Sequence, residues 1–258
     1  MPSLDVSALA LLFLAAAIVG FSKSGLLVSL GAINVPLLTL VMSARDAAGI
    51  LLPVMLAVDA VAVVLYARSI ERRVLVTMLP GCVAGSLLGW QLSASISEEA
   101  LRLAIGLVTL AFVLDAWFQL RTRLTRAHPS TGWGLFWGAV TGFTSFVSHT
   151  GGPPYQIHVL PMRLSPVVFA GTTAVFFAIN NVIKILPYAA LGQMHLTNLA
   201  TSAAMIPVAL GAMAIGVWAV RRLSPVMFYH IAYWLLFGFS LKLIWDGLGA
   251  FLPMPDVI

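Results

Sequence analysis

Long apolar runs with almost no charged residues inside them dominate this chain of 258 residues. Several runs reach the ~20 residues that a helix needs to cross about 30 Å of hydrocarbon. Hardly any run alternates apolar and polar residues as a membrane β-strand does. The sequence therefore predicts an all-α polytopic membrane protein. Its apolar runs cover roughly residues 7–20, 26–42, 47–66, 74–92, 100–120, 131–147, 153–162, 166–188, 196–220 and 225–252.

The composition excludes most soluble classes of protein. Hydrophobic residues make up 60% of the chain and charged residues 9%, whereas a soluble domain has about 25% charged residues. A lipid bilayer must therefore surround most of the chain, which excludes a soluble enzyme, a nucleic-acid binder and a disordered protein. The one cysteine, Cys82, excludes an internal disulfide and a cysteine-rich metal site.

The start of the chain carries no basic segment. No Lys or Arg precedes the first apolar run, although a secretory signal peptide normally has one there. We therefore expect the first run to be retained in the membrane. The expected location is the cell inner membrane, crossed several times.

Two short polar segments interrupt the apolar pattern. They are residues 20–25 and residues 148–154, and each lies between two apolar pieces that are too short to span alone. Irregular backbone at membrane depth persists only where protein or a water-filled cavity satisfies its polar groups. Both breaks are therefore candidate elements of a functional site.

An internal repeat relates the two breaks. A shift of 122 residues aligns them, and a shift of 127 residues aligns positions further along. We interpret residues 1–120 as a first repeat, 121–130 as a basic cytoplasmic linker and 131–258 as a second repeat. The aligned pairs include Gly20 with Gly142, Asn34 with Gln156, Gly49 with Gly171, Asp59 with Asn181, Tyr66 with Tyr188, Pro80 with Pro207 and Gly89 with Gly216.

The distribution of basic loop residues favours a re-entrant break over a crossing one. If the second break enters the membrane and turns back, nine basic residues lie on the cytoplasmic side; if it crosses, six do. Re-entry gives each repeat one hairpin and three spanning helices, inverts the second repeat and places both termini outside. The alternative is eight crossings, with parallel repeats and both termini inside. The nine residues are Arg68, Arg72, Arg73, Arg121, Arg123, Arg126, Arg163, Arg221 and Arg222.

The breaks could bind an anion. A half-helix that begins at a hairpin tip has free N–H groups and a partial positive charge there, and Pro153 and Pro154 suit its first turn. Lys23 could attract the anion or pair with Asp59, and His149 could change charge near neutral pH. The candidate substrate-binding residues are Lys23, Ser24, Gly25, Asn34, Ser148, His149, Thr150, Gly151, Gly152 and Gln156.

Three further residues are candidates for proton coupling or gating: Asp59, Asn181 and Lys184. An intramembrane carboxyl such as Asp59 could carry a proton or form a permanent salt bridge. Snorkelling to the membrane interface explains Lys184 and Arg163 as well as substrate contact does. The sequence has no enzyme signature, nucleotide motif or metal-ligand spacing, so we expect no catalytic residues, no metal and no cofactor.

At its breaks the sequence resembles the sulfite exporter TauE/SafE family, also called the 4-toluene sulfonate uptake permease family. The resemblance covers nearly the whole chain. In the first half it is carried by residues 20–25, Leu51-Leu52-Pro53, Asp59 and Tyr66-Ala67-Arg68. In the second half it is carried by residues 148–154, Gly171-Thr172-Thr173, Phe176-Phe177, Asn181, Lys184, Pro187-Tyr188 and Leu191-Gly192.

The resemblance implies secondary transport of sulfur-containing anions such as sulfite, sulfoacetate or other organosulfonates. It implies export more often than import, with protons as the expected coupling ion. A passive anion channel, or a transporter of another small carboxylate or inorganic anion, remains the alternative. Neither the residues nor the resemblance fixes the substrate or the oligomeric state.

Overall fold

A computed structural model describes residues 6–25, 28–92, 97–118 and 130–249, and every regular element in these ranges is helical. A 3-10 helix, Val28–Ile33, precedes α2, and another, Leu160–Met162, follows α7. The α-helices are α1 (Val6–Lys23), α2 (Asn34–Leu38), α3 (Ala44–Tyr66), α4 (Arg72–Leu92), α5 (Glu98–Phe118), α6 (Thr131–Ser148), α7 (Gly152–Val159), α8 (Pro166–Ala190), α9 (Leu196–Arg222) and α10 (Pro225–Leu248).

Four helices begin at a serine whose side chain satisfies a free backbone donor. Ser43, Ser130, Ser165 and Ser224 each accept a hydrogen bond from the N–H three residues further on, at the start of α3, α6, α8 and α10. This is the preferred N-cap arrangement. In α8 and α10 a proline follows the cap, where its missing N–H costs little. Local sequence therefore sets where these helices start.

Six helices in the described ranges are long and apolar enough to cross a membrane: α3, α4, α5, α8, α9 and α10. The expectation of an all-α polytopic membrane protein is confirmed. Residues 119–129, which include nearly all of the expected linker 121–130, lie outside the described residues.

One end of the bundle collects the basic loop residues. Arg221 Nη2 at the end of α9 approaches Leu65 O at the end of α3, at 3.5 Å. Glu71 N, just before α4, donates to Thr172 Oγ1 near the start of α8. Tyr229 OH, near the start of α10, donates to Leu164 O. This end therefore carries Arg68, Arg72, Arg73, Arg163, Arg221 and Arg222.

The opposite end holds the starts of α3 and α9. There His195 Nε2 lies 3.4 Å from Asp46 Oδ1. Two contacts show that helix α1 runs parallel to α9: Gly20 packs against Ala209, and Ser24, further along α1, packs against Gly216. Since α1 and α3 both begin at this end, the chain turns back on itself after Lys23.

Helix α6 makes the corresponding hairpin from the basic end. It runs parallel to α4, with Gly134 against Thr77 and Phe146 against Gly89. After Ser148 the chain turns, and α7 leads back to Arg163 at the basic end. The two hairpins thus enter the bundle from opposite ends, which is the geometry that the re-entrant interpretation requires.

The first helix of each half packs closely, at a glycine, against a helix of the other half. A methyl group on Gly20 would lie 2.1 Å from Ala209 O, and one on Gly142 would lie 2.1 Å from Cys82 O. Gly142 follows Gly20 by 122 positions, and Ala209 follows Cys82 by 127. Only glycine permits such a close approach of two helix backbones. A two-fold axis that relates the two halves would produce this pair of matching contacts.

Candidate functional site

A small cavity lies where the two hairpin tips meet. Its volume is about 40 Å³, whereas a single water molecule needs roughly 10–15 Å³. Residues from both breaks line it, together with residues of α3 and α8. The lining residues are Ser22, Lys23, Val28, Gly31, Met55, Ser145, His149, Gly152, Thr173, Ala174, Phe177, Asn181 and Lys184.

The first break is a tight turn held against α3 and α8. Gly25 has a φ of 93°, in the left-handed region that favours glycine. A side chain there would also collide with Ala170, whose Cβ would lie 2.3 Å from the added methyl group. Tyr66 OH donates to Ser24 O at 3.0 Å. These contacts fix Lys23, the last residue of α1, beside the cavity.

The second break is a left-handed turn followed by a regular half-helix. His149 ends α6 with a φ of 56°, and Thr150 N donates to Thr144 O. His149 N and Ser148 Oγ donate to the same carbonyl, and a left-handed residue at the end of a helix is a common way to stop it. Helix α7 then starts at Gly152 with prolines in its first turn, as the sequence predicts.

Only this break supplies a regular second half-helix. In the described part of the first break a 3-10 helix leads into α2, which has only five residues. At the tip of the second break Tyr155 N is not a free donor, because it donates to Gly151 O.

An ion pair joins the first break to the middle of α3. Lys23 Nζ lies 2.7 Å from Asp59 Oδ1 and 2.9 Å from Asp59 Oδ2. Asn181 Nδ2, from α8, donates to Asp59 Oδ2 at 2.7 Å. The structure therefore contains the salt bridge that the sequence left as an alternative for Lys23. Because the side chains of Lys23 and Asp59 are 10% and 2% exposed, this pair is largely shielded from water.

Lys184 is a buried lysine without a carboxylate partner among the described residues. The residue is 1% exposed, and its Nζ donates to Ser145 O and Ser145 Oγ at 2.7 and 2.8 Å. Asn180 Nδ2 also donates to Ser145 Oγ. Snorkelling does not explain Lys184, because its side chain points into the bundle. Buried charges in proteins are normally paired, so this lysine is suited to an anion in the cavity.

His149 also contributes a polar group to the cavity. Its Nε2 lies 2.8 Å from Tyr188 OH. Lys23 Nζ lies 5.5 Å from the centre of the Phe177 ring, a cation–π distance. The lining thus combines two lysines and an imidazole with apolar walls, an arrangement suited to a small anion rather than a cation.

Comparison with known protein families identifies the family of this chain. The profile described as sulfite exporter TauE/SafE matches residues 12–243. The chain belongs to the TauE/SafE family. It is therefore a multi-pass membrane transporter of the sulfite exporter type and not an enzyme. Searches among curated proteins and solved structures gave no significant match.

The site expectations for this TauE/SafE protein divide into two groups. Lys23, His149, Gly152, Asn181 and Lys184 line the cavity. Asp59 adjoins it through Lys23 and Asn181. These six residues come from the two breaks, α3 and α8.

The other candidates lie around the cavity without lining it. Ser29 Oγ donates to Gln156 Oε1, and the Ser148 and Thr150 hydroxyls bond each other at 2.6 Å. Thr150 faces a separate crevice near Arg102 and Lys242. Asn34 is fully buried, and neither of its amide atoms has a hydrogen-bond partner among the described residues. The remaining candidates, Ser24, Gly25 and Gly151, shape the turns.

Several residues of the TauE/SafE cavity escaped the sequence analysis. Ser145 is the clearest, since both Lys184 and Asn180 bond it. It follows Lys23 by 122 positions, so the repeat offset could have identified it. Thr173 lay within a stretch that carried the family resemblance. Phe177 also lay within such a stretch. Met55 and Ala174 are ordinary apolar residues on α3 and α8, and nothing in the sequence distinguishes them from core residues.

Proposed function

We propose that this TauE/SafE protein is a secondary transporter that exports sulfite or a similar small sulfur oxyanion through the cavity. One observation carries the proposal: Lys184 is buried at the cavity without a carboxylate partner among the described residues. The other lysine, Lys23, already has Asp59. An oxyanion would supply the missing negative charge and accept charge-assisted hydrogen bonds.

The size of the cavity favours a compact anion. A volume of about 40 Å³ corresponds to a few water molecules. Sulfite fits such a space, whereas sulfoacetate and aromatic sulfonates need a wider one. We therefore rank sulfite and other compact oxyanions above larger organosulfonates for the conformation described.

The burial of Lys184 favours a carrier over a passive channel. A channel needs a continuous water-filled path, and a lysine facing such a path would be exposed. Lys184 is 1% exposed. Alternating access between the two ends of the bundle fits a site that is closed in this way.

We further propose inverted repeats, proton coupling through Asp59 and an inner-membrane location. The hairpins that enter from opposite ends and the exchanged glycine contacts support the inversion. The basic end, with Arg68, Arg163 and Arg222, is the expected cytoplasmic side. Asp59 is the carboxylate of the buried ion pair beside the cavity, which supports a role in proton movement.

Flux assays in proteoliposomes test the proposal. Purified protein is reconstituted, and sulfite, sulfate, sulfoacetate, 4-toluene sulfonate and acetate are compared with and without a pH gradient. We expect sulfite to move fastest, and internal sulfite to accelerate uptake of external sulfite. Absence of sulfite flux from a folded preparation would reject the function. Sulfite flux that is independent of anion on the opposite side, and carries a matching current, would support the channel instead.

A further inference from the structure

The net charge of the cavity follows from three side chains. Lys23 and Lys184 line it, and Asp59 binds Lys23 at 2.7 Å. With both lysines protonated and Asp59 ionised, the net charge of the cavity is +1. A proton on Asp59 raises the net charge to +2. No other described Asp or Glu lies within ion-pair distance of either lysine.

A buried site binds best the anion whose charge cancels its own. Uncompensated charge is costly away from water, and an excess of negative charge is as unfavourable there as an excess of positive charge. With Asp59 ionised, a singly charged oxyanion makes the site neutral. A doubly charged oxyanion would leave it at −1 unless the site also gains a proton.

We propose that Asp59 sets the charge class of the transported anion. A singly charged oxyanion binds to the empty site without a proton, whereas a doubly charged oxyanion binds together with one proton that Asp59 takes up. This inference rests on the proposed function, because it assumes that the cavity is the anion site. In both cases the anion and any proton bound with it carry a net charge of −1.

The contacts of Asp59 suit this role. When an anion in the cavity draws Lys23 Nζ away, Asp59 keeps one hydrogen bond, from Asn181 Nδ2 to its Oδ2. Its Oδ1 then loses the lysine at 2.7 Å and becomes free to carry a proton. An amide donor tolerates either a carboxylate or the carbonyl oxygen of a protonated carboxyl.

The other titratable groups around Asp59 come from several helices. Lys184 lies on α8, and His149 ends α6 and bonds Tyr188. Cys82 on α4 lies behind Asn180. On α9, Arg221 lies at the basic end and approaches Leu65 O. Among these groups, Asp59 is the carboxylate that contacts a cavity lysine.

Sulfate and methanesulfonate are matched probes. They are similar in size, but sulfate carries two charges and methanesulfonate one, and neither changes charge near neutral pH. Binding to the wild-type protein in nanodiscs is measured by calorimetry in two buffers with different ionisation heats. We expect sulfate binding to take up about one proton and to weaken about tenfold per pH unit of increase where Asp59 is ionised in the empty protein. Methanesulfonate binding should take up none.

The outcomes separate the inference from the proposed function. If both anions bind with equal proton uptake, or with none, the charge-class inference is overturned while the anion site stands. If neither of them nor sulfite binds, the proposed function fails. In Asp59→Asn, sulfate should bind without proton uptake. Persistent uptake in that variant would place the proton elsewhere and reject Asp59. Should this variant unfold, the wild-type comparison alone still decides.

Discussion

Asn181 Nδ2 donates a hydrogen bond of 2.7 Å to Asp59 Oδ2, and the two residues are separated by the repeat offset of 122 positions. Equivalent positions of two repeats touch each other only near the axis that relates them. Under the proposed repeat relation, α3 and α8 therefore lie next to the axis, where Lys23 contacts Asp59 and Lys184 follows Asn181 by one turn of α8. Asp59 supplies a carboxylate and Asn181 an amide, so the two positions differ in charge.

Replacing Lys184 should weaken anion binding without harming the fold. We expect Lys184→Gln to weaken sulfite binding roughly 10–100-fold, because a hydrogen bond to a charged group contributes about 1.5–3 kcal/mol. Removal of a buried unpaired cation should leave the empty protein equally or more stable. Titration calorimetry and a melting curve on the same sample measure both. Lys242→Gln is the control, since Lys242 pairs with Asp246 on an exposed face of α10. Equal binding by the two variants would remove Lys184 from the site.

Breaking the Lys23–Asp59 pair should cost stability in a non-additive way. Each single change, Lys23→Met or Asp59→Asn, leaves a buried charge unpaired and should cost about 3–5 kcal/mol. The double variant should be more stable than the sum of the two costs predicts. Denaturant or thermal unfolding of all four proteins gives the coupling. Additive losses would show that the pair is not coupled.

Lys23→Ala should also weaken anion binding far more than Arg222→Ala, because the Arg222 side chain lies over Trp218 at the basic end.

Asp59→Asn should uncouple transport from the proton gradient. The amide preserves the shape of the side chain and still accepts a bond from Asn181, but it cannot carry a proton. We expect sulfite exchange to persist while pH-driven uptake disappears, as measured in proteoliposomes with and without a pH gradient. A folded variant with unchanged pH-driven uptake contradicts the carrier role of Asp59.

The packing of α4 on α6 should depend on Gly142. In Gly142→Ala the new methyl group would lie 2.1 Å from Cys82 O, so the helices must separate. Such overpacking costs typically about 1–3 kcal/mol, and we expect a lower melting temperature. Gly238→Ala is the matched control, because nothing lies within 4 Å of its added methyl group. If both variants melt at the wild-type temperature, the close contact does not exist.

Both termini should lie on the outer side of the membrane. Six spanning helices and two hairpins return the chain to the side where it began, and the basic end is the expected cytoplasmic side. Fusion of a reporter to the C-terminus checks this directly. A periplasm-active reporter such as alkaline phosphatase should be active, and a cytoplasm-active reporter such as green fluorescent protein should be dark. The reverse pattern would restore the eight-crossing topology.

The sequence by itself determined the class of protein and the location of the breaks. Low charge over long apolar runs leaves the bilayer as the only suitable surroundings, and serines and prolines at helix starts act locally, so both can be read without a fold. The breaks at Lys23 and His149, and the offset that pairs Asp59 with Asn181, also followed from the order of residues alone.

Only the tertiary structure decided which polar residues share the cavity. Lys184 read equally well as an interfacial lysine, because sequence does not tell which face of α8 meets the other helices. Asn34 and Gln156 were candidates by their repeat positions, and packing places them beside the cavity and not in its lining. Ser145 is recognised as a site residue only in the folded structure, where Lys184 and Asn180 donate hydrogen bonds to its hydroxyl. Contacts between helices far apart in the chain depend on packing, and the pairing of a buried charge depends on those contacts.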